Sequence, residues 1–339
     1  MREELEHAKI PSFGINTRVH HLLHEFTLIG GLDIEEQREQ RGGIVAARGK
    51  SISLFLMDGT ASGRVICTLA NWTGVAYRIP RTEIDRCKER ADLKQSGVYF
   101  LFGSSDKTGD DVVYIGQAGA RKNGEGILYR LQEHRRNPDK GYWTEAVVFT
   151  TSNNSFGPTE ITYLENRFCG LAAEAKRYIV KNANDPTSGN ITEEKESELE
   201  EFVDYAEIVM GALGYRVFEP LIKKPSMPIS PPAAERDEKP MLYIIRSGAN
   251  AKSRLTDEGI VVLAGSVIRK NLVPSCPDYV KAVRKDNKDN IDSNNVLLKD
   301  LLFRTPSSAS AFVLGSPTNG NIEWKTEDGK VLKDLENIT

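Results

Sequence analysis

The residue types that can do chemistry are concentrated between positions 99 and 165. Tyr99 and Tyr114 each interrupt a short apolar run, GVYFLFG and VVYIG, where valine or isoleucine would pack with no hydroxyl to satisfy. Arg130 and His134 follow, four residues apart, and Glu165 comes later within a helical pattern. Two phenols, a guanidinium, an imidazole and a carboxylate can together transfer protons, bind an anion and hold a cation.

The tyrosines and the Arg–His pair also have a purely structural interpretation. Tyrosine is common in strands because its ring fits a pleated, half-buried surface. Arg130 and His134 point the same way on a helix, since residues four apart share a face, and such a pair is also typical of a solvated surface. Ile127 and Leu131 occupy the same broad side, so the two polar groups flank the edge that packs on the sheet.

Glu165 is the most informative of the five residues. It lies within the apolar stripe of its helix, which is formed by Ile161, Leu164, Phe168, Leu171, Ala172 and Ala175. An unpaired charge in that stripe would cost several kcal/mol, so the carboxylate would shift its pKa or seek a cation. A functional carboxylate and a buried salt bridge, for instance to Arg130, are both consistent with this spacing.

Four short motifs resemble, in order and context, those of the GIY-YIG nuclease domain. They are GVY at 97–99, YIG at 114–116, the R-x-x-x-H of 130–134 and LEN at 164–166, and the resemblance covers about residues 96–184. It implies an α+β fold in which a three-stranded antiparallel sheet is flanked by helices. It also implies a phosphodiesterase active site with a single divalent metal ion.

The resemblance assigns a role to each candidate residue. Tyr114 is the general base, Tyr99 orients water or phosphate, His134 assists, and Arg130 binds the scissile phosphate. Glu165 is the metal ligand, and Mg²⁺ or Mn²⁺ is the expected cofactor, because such hard cations accept few protein carboxylates beside water and phosphate oxygens.

Two positions differ from patterns common in that family. Some members have a lysine three residues after the second tyrosine, where this chain has Gln117, although Arg121 and Lys122 follow closely. Many members also end the domain on a supporting asparagine, and Asn182 and Asn184 are both candidates.

Secondary-structure patterns supply the elements around these residues. Alternation over 51–82 predicts strands and a hairpin, RTEIDRCKERADL predicts a helix, and the two tyrosine runs predict an antiparallel hairpin. A helix (GILYRLQEHRR), a strand (EAVVFTT), a long helix over 158–181 and an amphipathic helix over 191–214 with an acidic front half follow. The predicted division is an N-terminal helix and β-hairpin extension (1–95), a nuclease domain (96–185), an acidic helix (190–219), a Pro-rich linker (220–240) and a C-terminal domain (241–339).

The sequence pattern from residue 241 onward predicts a small, separate α+β domain. LYIIRSG, GIVVLAGSVI and NIEWK have strand patterns, and SSASAFVLG begins like a capped helix. The region from about 248 to 325 is similar to an uncharacterised domain that follows the nuclease domain in a group of bacterial GIY-YIG proteins. Its basic residues suit either DNA docking or a solvated, protein-contacting surface; they are Arg254, Arg269, Lys270, Lys281, Arg284, Lys285 and Lys288, with Trp324 near Lys325.

Composition limits the functional classes. The net charge of −3 over 339 residues argues against a general nucleic-acid coat, so a nucleic-acid site would be a local patch. Four dispersed cysteines predict reduced thiols, and His20 and His24 lack a further metal ligand nearby. No apolar run is long enough for a membrane span, which predicts a cytoplasmic protein.

The predicted function is metal-dependent endonucleolytic hydrolysis of DNA, in repair, restriction or defence. The alternatives are an RNA-directed nuclease and a catalytically inactive nucleic-acid-binding or assembly protein. The sequence does not indicate the oligomeric state.

Overall fold

The structure is a computed structural model that describes residues 49–105, 109–120, 125–182, 191–222 and 240–336. The predicted N-terminal helix with His20 and His24, and most of the predicted Pro-rich linker, lie outside the described residues. The described residues form a mixed α+β structure with a large sheet and a separate small C-terminal sheet. Among these residues, no helix has the length and apolarity that crossing a membrane requires.

The large sheet contains seven strands. They are β1 (Ile52–Leu56), β2 (Val65–Leu69), β3 (Gly74–Pro80), β4 (Gly97–Ser104), β5 (Asp111–Ala118), β6 (Trp143–Thr151) and β7 (Ile179–Val180). Their order is β1-β2-β3-β6-β4-β5-β7, and every pair is antiparallel except β5 with β7. The strands from the N-terminal region continue the sheet because β3 pairs with β6 along its whole length.

Short helical segments cover one face of this sheet. Helix α1 (Ile127–Arg136) buries Ile127, Leu128, Leu131 and His134. The segment RTEIDRCKERADL, predicted as one helix, forms two 3-10 helices, Arg81–Cys87 and Ala91–Lys94. Arg90 is extended between them and donates to the Tyr77 hydroxyl at 2.7 Å, so a tertiary contact interrupts the helical pattern.

Two long helices cover the other face. Helix α2 (Pro158–Ala175) ends earlier than predicted, because Lys176 adopts a left-handed conformation (φ 53°) and the chain then forms β7. Helix α3 (Glu193–Ala212) buries the predicted apolar stripe against a core of aromatic rings that includes Phe100, Phe149 and Phe168. Its acidic residue Glu200 pairs with Arg167 of α2 at 2.7 Å.

The C-terminal domain has its own core. Its sheet has the order β11-β10-β9-β8, formed by β8 (Met241–Arg246), β9 (Ala249–Thr256), β10 (Gly259–Val262) and β11 (Leu301–Phe303). Its helices are α4 (Asp278–Asp286), α5 (Pro306–Leu314), α6 (Gly320–Glu323) and α7 (Leu332–Glu336).

The strand predicted for NIEWK is wrong. Residues Gly320–Glu323 are helical, because the Asn319 side chain caps the turn and the Trp324 indole inserts into the core and donates to the Pro306 carbonyl at 3.0 Å. All four cysteines are buried and free, as predicted.

Candidate functional site

Tyr99 lies at the centre of the candidate site. Alternation along β4 directs Tyr99 and Leu101 toward α1, while Val98 and Phe100 point to the opposite core. The Tyr99 side chain is fully buried, and its Oη lies 2.7 Å from Nε2 of His134. The tyrosine hydroxyl therefore has a buried polar partner, which explains why the strand carries tyrosine in place of an aliphatic residue.

Gly116 makes room for the Tyr99 ring. It is the direct cross-strand partner of Tyr99, and a Cβ at position 116 would lie 2.6 Å from Tyr99 Cζ and 3.0 Å from Tyr114 Cε1. The glycine of the YIG motif is thus required because the Tyr99 ring packs directly against position 116.

Tyr114 is the more accessible of the two phenols. It lies opposite Leu101 in the β4–β5 ladder and is half-buried, with ring centroids 6.3 Å from Tyr99 and 5.3 Å from His134. Burial raises the pKa of Tyr114, and the charge of Glu165 raises it further, while Arg130 acts in the opposite direction. Of the two tyrosines, it is Tyr114 that can meet solvent.

Arg130 and His134 lie one turn apart on α1 and face the tyrosines. Burial, together with the charges of Lys140 and Arg130, lowers the pKa of His134 to about 3, so the imidazole is neutral at physiological pH. Burial also raises the pKa of Tyr99, which leaves a neutral phenol–imidazole pair. Arg130 interacts with Tyr99 and pairs with Glu133 through an Nη1–Oε2 distance of 2.8 Å.

Glu165 approaches this group from α2, at the β5 edge of the sheet. The carboxylate is half-buried; burial raises its pKa, while a hydrogen bond from Gln117 and the charge of Arg130 lower it. The salt bridge to Arg130, considered as an alternative, is absent from the described residues, where the partner of Arg130 is Glu133. Gln117, at the position where some members of the GIY-YIG family carry lysine, contacts Glu165.

Asn182 is the asparagine that the structure brings to the site. Its Oδ1 accepts from the Ile115 amide at 3.1 Å, and its Nδ2 donates to the Ile115 carbonyl at 2.7 Å. These two bonds anchor β5 directly beside Tyr114 and Gly116. Asn184, the other candidate, lies outside the described residues.

Lys140 was not identified from the sequence. It lies in the turn between α1 and β6, and its Nζ is 3.4 Å from the centroid of the Tyr114 ring. No motif or spacing relates a residue in this turn to Tyr114, so only the tertiary structure reveals the contact. Arg121 and Lys122, the cations closest to Gln117 in sequence, lie outside the described residues.

Several of the basic residues considered for DNA docking in the C-terminal domain have structural partners. Arg284 donates to the carbonyls of Phe312 and Arg269, at 2.6 and 2.7 Å, and Lys281 pairs with Asp278. Trp324 is fully buried. Arg284 and Trp324 therefore support the domain itself, whereas the Lys281–Asp278 pair is exposed.

Comparison with known families and proteins identifies one part of the chain. Residues 242–336 match a family described as a domain of unknown function (DUF4357). The match agrees with the resemblance of about residues 248–325 to an uncharacterised domain. No curated protein and no solved structure matches the chain.

Proposed function

We propose that this protein is a metal-dependent endonuclease of the GIY-YIG type that hydrolyses phosphodiester bonds in DNA, and that it acts in the cytoplasm. The observation that carries the proposal is the convergence of the five candidate residues. Tyr99, Tyr114, Arg130, His134 and Glu165 come from two strands and two helices. The Tyr99 hydroxyl lies 2.7 Å from Nε2 of His134, and the Tyr114 ring centroid lies 6.3 Å from that of Tyr99 and 5.3 Å from that of His134. The charges of Arg130 and Glu165 act on both phenols.

The cationic and neutral groups suit phosphate chemistry. Arg130 can bind the scissile phosphate through its planar guanidinium and stabilise negative charge that develops in the transition state. Tyr114, as the accessible phenol, is the proposed general base toward water, a role that requires the charges of Arg130 and of a bound metal ion to offset the rise in its pKa that burial causes. The buried Tyr99–His134 pair holds the position of the imidazole and of the tyrosine ring beside it.

Glu165 fits a divalent cation. Its carboxylate is half-buried and forms no ion pair with a described cation, and its pKa is raised by burial, so a bound metal would stabilise its charge. Among the described residues, no group of three or more His, Cys, Asp or Glu side chains could hold a metal. Mg²⁺ and Mn²⁺ can be bound by one carboxylate together with waters and phosphate oxygens, so Glu165 would suffice as the protein ligand. Such an ion would supply positive charge to the phosphate and acidify a bound water.

A cleavage assay tests the proposal. The purified full chain is incubated with plasmid, linear duplex and single-stranded DNA and with RNA, in the presence of Mg²⁺, Mn²⁺ or EDTA. We expect metal-dependent DNA cleavage that Glu165→Ala reduces by about 10–100-fold or more, in line with the loss of a metal ligand or its support. Glu174→Ala, an exposed glutamate on the same helix, is the matched control and should cleave like the wild type.

The remaining outcomes separate the alternatives. Cleavage of RNA but not of DNA would show that the substrate is RNA. Binding of nucleic acid without cleavage in any metal would favour the inactive binding protein. Equal activity of Glu165→Ala and the wild type would refute the assignment of Glu165.

A further inference from the structure

Lys140 and Arg130 bring two positive charges to the same side of the β4–β5 hairpin. The Lys140 ammonium lies over the face of the Tyr114 ring, 3.4 Å from its centroid. A cation in this position is attracted by the ring quadrupole. That attraction explains the contact with Tyr114, but it does not explain why a second cation is nearby.

The electrostatic environment of Lys140 is unfavourable to its own charge. Burial, together with the charge of Arg130, lowers the pKa of Lys140 to about 8. None of the described carboxylates is an ion-pair partner of Lys140, and Glu133 is paired with Arg130. The nearby imidazole of His134 and the phenols of Tyr99 and Tyr114 are neutral, and the charge of Glu165 acts on Arg130 but not on Lys140. An anion bound here would relieve the repulsion between the two cations.

The turn that carries Lys140 is held in place by Arg81. The Arg81 guanidinium donates to the carbonyls of Lys140 (2.9 Å), Gly141 (3.2 Å), Trp143 (3.1 Å) and Arg135 (3.1 Å), and it stacks on the Trp143 ring at 4.6 Å. The backbone of the turn is therefore tied to both α1 and β6. A lysine on such a backbone is preorganised, which lowers the entropic cost of binding a ligand.

We propose that Lys140 and Arg130 form a two-cation clamp for a phosphate group beside Tyr114. This proposal rests on the proposed function, in which the phosphate is the phosphodiester that is cleaved. The two side chains are complementary, because arginine offers a planar fork to two oxygens and lysine offers a compact point charge with rotatable donors. A phosphodiester carries one negative charge on two non-bridging oxygens, which the two cations can share.

The first test uses inorganic phosphate and does not depend on nuclease activity. Lysine side chains of the full chain are labelled with ¹³C at Cε, and the Lys140 signal is identified by its absence in Lys140→Arg. We expect the Lys140 signal to titrate below those of the other lysines, and its midpoint to rise when phosphate is added. Arg130→Met should abolish this rise. A Lys140 signal that does not respond to phosphate overturns the clamp.

The second test uses nucleic acid. Binding of a duplex oligonucleotide is measured by fluorescence anisotropy in EDTA over a range of salt concentrations. The logarithm of the binding constant falls linearly with the logarithm of the salt concentration. Loss of one phosphate contact should make this negative slope less steep by about 0.9 for duplex DNA. We expect the less steep slope in Lys140→Met and the wild-type slope in Lys140→Arg, which keeps the positive charge. Lys195→Met, which removes a lysine paired with Glu198 on a helix across the sheet, is the control and should bind like the wild type.

The two tests separate the clamp from the proposed function. An unchanged salt slope in Lys140→Met, with binding otherwise intact, overturns the clamp on nucleic acid. If phosphate shifts the Lys140 signal but neither DNA nor RNA binds or is cleaved, the phosphate clamp stands and the nuclease proposal fails.

Discussion

Replacement of Gly116 by alanine tests the packing that holds the two tyrosines. The new Cβ would lie 2.6 Å from Tyr99 Cζ, a separation that side chains do not tolerate. The Tyr99 ring cannot move freely, because it is fully buried and its hydroxyl is bonded to His134 at 2.7 Å. The substitution must therefore displace either that ring or strand β5.

The expected cost follows from these contacts. Overpacking a core costs about 1–3 kcal/mol, and a lost hydrogen bond about 0.5–1.5 kcal/mol, so Gly116→Ala should lower the free energy of unfolding by about 2–4 kcal/mol. Urea unfolding followed by circular dichroism measures this change. Gly170→Ala is the matched control: Gly170 is an exposed helix position whose Cβ would meet no atom within 4 Å, so alanine there should stabilise by about 0.5–1 kcal/mol.

A double-mutant cycle identifies the source of the effect. In a Tyr99→Leu background the ring carbon that meets the new Cβ is gone, so Gly116→Ala should cost at least about 1 kcal/mol less than in the wild type. If Gly116→Ala unfolds like the wild type, or costs the same in both backgrounds, the argument from close approach is refuted.

Two further predictions concern the neighbours of the tyrosines. The pKa of His134 is about 3 in the folded state and about 6.5 in the unfolded state. The contribution of the neutral imidazole to the free energy of unfolding is therefore fully present above pH 6.5 and is lost as the pH falls toward 3. The free energy of unfolding should therefore fall by up to about 1.4 kcal/mol per pH unit in this window, and His134→Gln should flatten that dependence; an unchanged slope would contradict the shift. Asn182→Ala removes both side-chain bonds to Ile115 and should destabilise by about 1–3 kcal/mol and speed hydrogen exchange of the Ile115 amide, whereas the exposed-site variant Asn153→Ala should do neither. Unaltered exchange at Ile115 would show that Asn182 does not anchor the strand.

Local patterns in the sequence predicted elements whose cause is local. The two tyrosine runs predicted the β4–β5 hairpin because their apolar residues are bounded by turn signals. The apolar spacing of α1 and α3 likewise placed the buried faces of those helices. Where a distant contact competes with local preference, the prediction was wrong. Arg90 binds Tyr77 and interrupts a predicted helix. The segment NIEWK has a strand pattern, but residues Gly320–Glu323 are helical and Trp324 is buried in the core.

The sequence by itself determined which chemical groups this protein has and which of them share an element. Arg130 and His134 had to lie on one helix face, and Glu165 had to lie near an apolar stripe, since both follow from helical periodicity. Only the tertiary structure decided what those groups meet. It pairs Tyr99 with His134, Gln117 with Glu165 and Lys140 with Tyr114, because these contacts depend on strand register and on how helices pack across the sheet, and no sequence spacing specifies either.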